Sequence, residues 1–100
     1  MKDQHVVLIN AFEVPTEADH AFREYWERAR RLLGTRDGYV STRLHRSLSS
    51  EADFRFVNVA EWQSAPAFQA AISRPEFGGA KAPFPFHATL YEVVREDVDR

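Results

Sequence analysis

The 100-residue chain contains no cysteine. Disulfides, thiolate metal sites, iron–sulfur clusters and cysteine nucleophiles are therefore excluded, and a reducing compartment suits such a chain. No apolar run approaches the ~18 residues of a membrane span. The first residues, Met1 to His5, lead directly into strand-like sequence without the pattern of a signal peptide. The expectation is a soluble, cytoplasmic protein with no membrane partner. Basic charge is not in excess either: 13 Lys and Arg stand against 15 Asp and Glu, a formal charge of -2. Nucleic-acid binding needs a basic footprint, so nucleic acid is not an expected partner. Arg28, Arg30 and Arg31 share a helical stretch with Glu24 and Glu27 and read as a solvated face. There is no Gly-rich phosphate loop, no nucleophile elbow and no pair of carboxylates at helical metal spacing. The four histidines, His5, His20, His45 and His87, are scattered, with no i+3 or i+4 pair, and no metal site is expected from one chain.

Aromatic residues are abundant: 13, eight of them Phe. They suit a packed core or an aromatic-lined site. One hundred residues make one domain, expected to span residues 1–100 with a charged, fraying tail over 96–100. Val6 to Val14 reads as a strand that is apolar on both faces, and so an interior one. Pro15 ends it. Thr16 with Asp19 reads as a capped helix start. Phe22, Tyr25, Trp26, Ala29, Leu32 and Leu33 then recur at helical spacing, up to Gly34. After Asp37-Gly38, Tyr39 to Leu48 is a second strand. Its alternation sets Val40, Thr42 and Leu44 against Tyr39, Ser41, Arg43 and His45. A polar loop leads to a third strand, Phe54 to Trp62. Ser64 caps a second helix carrying Phe68, Ala71 and Ile72, broken near Pro75. Residues 78–87 are Gly- and Pro-interrupted, with Phe84, Phe86 and His87 as lid candidates. Thr89 to Arg95 is the last strand.

The order strand, helix, strand, strand, helix, strand is the ferredoxin-like βαββαβ pattern, an α+β fold with an antiparallel sheet. Helices cover one face of such a sheet. The other face, apolar here, must be covered by something, and a second subunit is the economical answer.

The third strand carries the most informative pattern. Alternation puts Phe54, Phe56, Asn58, Ala60 and Trp62 on one face. An amide set among large apolar side chains costs about 1–3 kcal/mol if unpartnered. Asn58 therefore either pairs with backbone in the core or faces a site, where its amide can donate to a carbonyl or phenolate oxygen. Trp62 would shape an aromatic site beside it, with Phe56 on the same face. Asn10 sits between Leu8 and Phe12 on the first strand; if that strand lies beside the third, Asn10 and Asn58 line one site. His45 is the natural general-base candidate, with an ordinary pKa of about 6.5. Lys81 is placed to reach over a site and neutralise a developing anion.

Together, residues 7–15 (Val-Leu-Ile-Asn-Ala-Phe-Glu-Val-Pro), 38–41 (Gly-Tyr-Val-Ser) and 58–64 (Asn-Val-Ala-Glu-Trp-Gln-Ser), followed by Ala67-Phe68, resemble the antibiotic biosynthesis monooxygenase (ABM) family of the dimeric α+β barrel superfamily. The resemblance covers nearly the whole chain. It implies a homodimer. For the anthrone-oxidising branch it implies a cofactor-independent monooxygenase that uses O2 on an electron-rich aromatic substrate. That branch's Asn-x-x-x-Trp pair matches Asn58 and Trp62, and its second-strand histidine falls on His45. Its helix hydroxyl falls on Phe68, which has none, and its arginine falls near Lys81. The haem-degrading branch matches only at Asn10. Its tryptophan position falls on Ala71 and its histidine ligand near Lys81, with His87 as a substitute only if the loop folds back. A non-catalytic binding dimer and a non-oxidative cyclase or isomerase are the rival readings.

Overall fold

A computed structural model of the chain describes residues 5–73 and 82–99. The elements are β1 (Val6–Phe12), a 3-10 turn (Thr16–Ala18), α1 (Asp19–Leu33), β2 (Tyr39–Arg46), β3 (Phe56–Trp62), α2 (Ala65–Ile72) and β4 (Phe86–Glu92). The four strands form one antiparallel sheet in the order β2-β3-β1-β4. The ferredoxin-like α+β arrangement is therefore present, with β1 and β3 at its centre. Among the described residues, no helix is long and apolar enough to cross a membrane.

Local chemistry explains most boundaries. Ser64 accepts a hydrogen bond from the Ala67 amide at 3.2 Å and caps α2, with Pro66 in the first turn where its missing N–H costs nothing. Gly38 takes φ +89°, and a Cβ there would lie 2.5 Å from the Ala67 Cβ, so only glycine fits. At α1 the expected capping pair does not form. Asp19 instead receives a forked pair of hydrogen bonds from Arg55, Nε to Oδ1 at 2.6 Å and Nη2 to Oδ2 at 2.9 Å, which ties the helix start to the entry of β3.

Three expectations shift. β4 begins at Phe86, three residues earlier than the alternation suggested, because Phe86 pairs with Phe12 and Glu92 with Val6; β1 begins at Val6, so the ladder ends there. Phe86 and His87 are consequently strand residues. Phe54 precedes β3 and packs edge-on against His87, ring centroids 5.1 Å apart, away from Phe56. A bulge between Tyr39 and Ser41 lets Tyr39 pair with Trp62 while Thr42 pairs with Ala60, so Tyr39 and Thr42 share a face.

The helix-covered face holds two apolar clusters rather than one. Leu8, Ala60, Trp62, Phe68 and Ala71 form the first, under α2. Phe12, Val14, Phe22 and Phe56 form the second, under α1. In the second cluster Phe22 stacks on Phe56 at 4.5 Å and meets Phe12 edge-on at 4.8 Å.

Candidate functional site

The strand registers define what lies between the two clusters. Leu44 pairs with Asn58, Asn58 with Asn10, and Asn10 with Ala88. These four residues form one row across the sheet. The row on one side is Thr42, Ala60, Leu8 and Leu90, and the row on the other is Arg46, Phe56, Phe12 and Phe86. Asn10 and Asn58 thus face one another in the gap where the apolar core is interrupted. Half-buried Leu44 closes the β2 end of the row. Exposed Ala88, with its small side chain, leaves the β4 end open.

The two amides are held differently. Thr42 Oγ1 donates to Asn58 Oδ1 at 2.6 Å. That bond occupies the Asn58 acceptor and leaves its N–H groups as the free end of the amide. Asn10 Oδ1 is buried and has no hydrogen-bond partner. Two amides on directly opposed residues, whose Cα atoms are about 4.5–5.5 Å apart in antiparallel sheets, would ordinarily satisfy each other. Here one acceptor is taken by a threonine and the other is left open. Thr42 was not singled out by the sequence. Its hydroxyl reaches Asn58 diagonally from the neighbouring row, a relation set by the β2–β3 register and invisible to alternation alone.

The other candidates separate. Trp62 is 1 % exposed and enclosed by Tyr39 and Phe68, each 5.5 Å away between ring centroids. It is a core side chain, two rows from Asn58, with the small Ala60 in the row between. Phe56 and Phe68 are likewise buried in the two clusters that flank the amides. His45 pairs with Val57, so it lies on the opposite face of the sheet from Asn58, with Nδ1 3.2 Å from the Val57 carbonyl oxygen. The alternation that puts Asn58 on the helix side puts His45 on the other, and the chain does not bring them together. Lys81 lies outside the described residues.

His87 pairs with Ala11 and is also on the outer face, where Nε2 lies 2.8 Å from Glu13 Oε2. His5 is bonded to Glu61, and His20 lies on the exposed side of α1 beside Glu24. No histidine of the chain therefore stands beside the amides. Tyr25 packs against Phe12, Phe22 and Phe84. Burial pushes its phenol above the ordinary value, so it stays a neutral hydroxyl at pH 7. Haem needs an axial His, Cys, Met or Tyr; among the described residues no histidine lies beside the amides, and Tyr25 and Tyr39 are packed into the two apolar clusters. Among the described residues there is also no cluster of three or more His, Asp or Glu side chains suited to a metal ion.

What the row can do chemically is specific. It presents amide N–H donors and an amide acceptor side by side, walled by apolar and aromatic side chains. Amide N–H groups in such a setting can donate to an oxygen that gains negative charge.

The family model for antibiotic biosynthesis monooxygenases matches residues 5–83. Among solved structures, the chain is similar to a candidate monooxygenase from Shewanella loihica PV-4, with 36% identity over 96% of this chain and 100% of that one, TM-score 0.84. It is also similar to the haem-degrading protein MhuD of Mycobacterium tuberculosis, at 26% identity over 93% and 99% of the two chains, TM-score 0.71. SnoaB of Streptomyces nogalater, a cofactor-independent oxygenase, shares the fold at 22% identity over 97% and 99%, TM-score 0.74. No curated protein sequence matches. A family match over more than half the chain, on a ferredoxin-like sheet that brings two asparagines face to face, leads to one conclusion: this chain is a member of the antibiotic biosynthesis monooxygenase family.

Proposed function

We propose that the protein is a cofactor-independent monooxygenase that oxidises an electron-rich aromatic substrate, of the anthrone or hydroquinone kind, with O2. The observation that carries this reading is the Asn58 amide, pinned by Thr42 and opposed to Asn10 in the gap between two apolar clusters. Membership of the family and the fold shared with SnoaB support it.

The substrate supplies the electrons. Loss of a proton from an activated CH2 leaves a carbanion whose charge rests on a conjugated oxygen. The Asn58 N–H groups stabilise that oxygen; one such donor is worth roughly 2.7–4 kcal/mol in other enzymes. The anion passes one electron to O2, and the caged pair joins to form a C–O bond. The resulting peroxide takes up a proton and loses water, leaving a carbonyl. One oxygen atom enters the product, the other leaves as water, and the carbon gives up four electrons. His45, on the other face, is not the base in this scheme. The proton leaves to solvent, and the amide acts by making the substrate anion more stable.

A homodimer belongs to the same reading. Val7, Ile9, Ala11, Val57 and Val59 are half-buried and form an apolar band on the face the helices leave uncovered. A second copy laid on that band would complete an α+β barrel. A cytoplasmic setting suits a chain without cysteine.

The test is oxygen uptake by purified, flavin-free and metal-free protein with a panel of anthrones and hydroquinones. Uptake above the uncatalysed rate that collapses in Asn58→Ala supports the reading. Equal uptake by both proteins, or none from folded protein, counts against it. That no histidine among the described residues stands beside the amides favours a second reading, a binding module without turnover; tight binding with no oxygen consumption would select it.

A further inference from the structure

The two asparagines are unequal, and the inequality has a consequence for the ligand, which rests on the reading of this row as the substrate site. Asn58 has its acceptor occupied by Thr42 and offers donors. Asn10 offers a buried acceptor that has no hydrogen-bond partner among the described residues. A ligand that only accepts hydrogen bonds, such as a quinone or an aryl ether, would suit Asn58 and leave Asn10 Oδ1 unpaired and sealed from water. A ligand with a free hydroxyl suits both: its oxygen accepts from Asn58, and an O–H, the same one or its neighbour, donates to Asn10.

We propose that Asn10 Oδ1 selects substrates that carry a free aromatic hydroxyl over their ethers, and that Thr42 is the positioning residue that makes this selection work by holding Asn58 in its donating orientation. Without the Thr42 hydroxyl, the Asn58 amide is free to turn and close on Asn10, which satisfies the orphan acceptor and leaves it nothing to take from a ligand.

The experiment is equilibrium dialysis of the purified protein against two matched probes, 2-naphthol and 2-methoxynaphthalene, followed by their own absorbance. Wild type is expected to bind the naphthol about tenfold more tightly, the scale set by one buried polar group left unpaired. Asn10→Leu keeps the branched heavy-atom skeleton and removes the acceptor; its preference is expected to fall to about one, by weaker naphthol binding with the ether unchanged or tighter. Thr42→Val is expected to lose most of the preference and Thr42→Ser to keep it. A purely structural role for Thr42 would weaken both probes alike and leave their ratio intact. Equal binding of the two probes by wild type, or binding of neither, overturns the proposal. Discrimination without any oxygen uptake on anthrones would sink the monooxygenase reading and leave this one standing; uptake without discrimination would do the reverse.

Discussion

At the residue scale, the question is why an amide tolerates the middle of a sheet. Asn58 does so because a 2.6 Å hydrogen bond from Thr42 covers its acceptor. Asn10 does so without protein compensation for its oxygen, and an uncompensated buried polar atom costs about 1–3 kcal/mol. Asn10→Leu is therefore expected to leave the protein at least as stable as wild type in urea unfolding, while it weakens phenol binding. A marked loss of stability would make Asn10 a structural amide. Asn58→Ala is expected to reduce turnover by about 10²–10³-fold while unfolding at a denaturant midpoint close to wild type. His45→Ala is expected to leave turnover within about twofold, since His45 faces away from the amides; a loss of about 10²–10⁴-fold, the usual worth of a general base, would return it to the mechanism. Asparagines on strands 1 and 3 were legible as unusual from alternation. Thr42, the partner of Asn58, was not, because side-chain alternation says nothing about which residue of a neighbouring strand comes within reach.

At the element scale, two joints hold the helices over the sheet. The Gly38 turn passes close to α2, and the approach of a Cβ to Ala67 leaves no room for any other residue. Gly38→Ala is expected to cost roughly 1–3 kcal/mol, read from chemical unfolding, through the combined φ and contact strain. At α1, the Arg55 hydrogen bonds hold the Asp19 carboxyl below its ordinary value, with Coulombic help from Arg55 and Arg46. The folded value lies below the unfolded one, so this contribution is fully present above the ordinary carboxylate pKa of about 3.9 and is lost as the pH falls through the lower folded value. A plot of Tm against pH for Asp19→Asn should therefore run below wild type at neutral pH and converge on it in acid. Parallel curves would show that the pair does not couple folding to protonation. The helix at 19–33 and the cap at Ser64 follow from local spacing. The reassignment of Asp19 from cap to ion pair depends on Arg55, 36 positions away in the chain.

At the scale of the whole molecule, the body is thin, with a smallest extent of 19 Å, one sheet layer and one helix layer. The helices cover only one face. The other carries the Val7–Ile9–Val59 band, rimmed by Arg43, His45, Glu61 and His87. If a second copy covers it, wild type should scatter light as a dimer, and Val59→Glu, which sets a carboxylate in the band, should yield monomers that retain helical and sheet signal. A wild-type protein that is monomeric at micromolar concentration would refute the dimer.

The sequence by itself determined the order of elements, the antiparallel α+β class and the presence of amides on strands. These depend on periodicities and turn chemistry within a few residues of each other. The tertiary structure alone decided that Asn10 and Asn58 meet, that His45 and His87 lie on the far face, that Trp62 is core, and that Thr42 orients Asn58. Those relations depend on register, and register is a property of pairs of strands: the pairing of Leu44 with Asn58 and of Asn58 with Asn10 sets which side chains meet, and no local pattern within one strand fixes it.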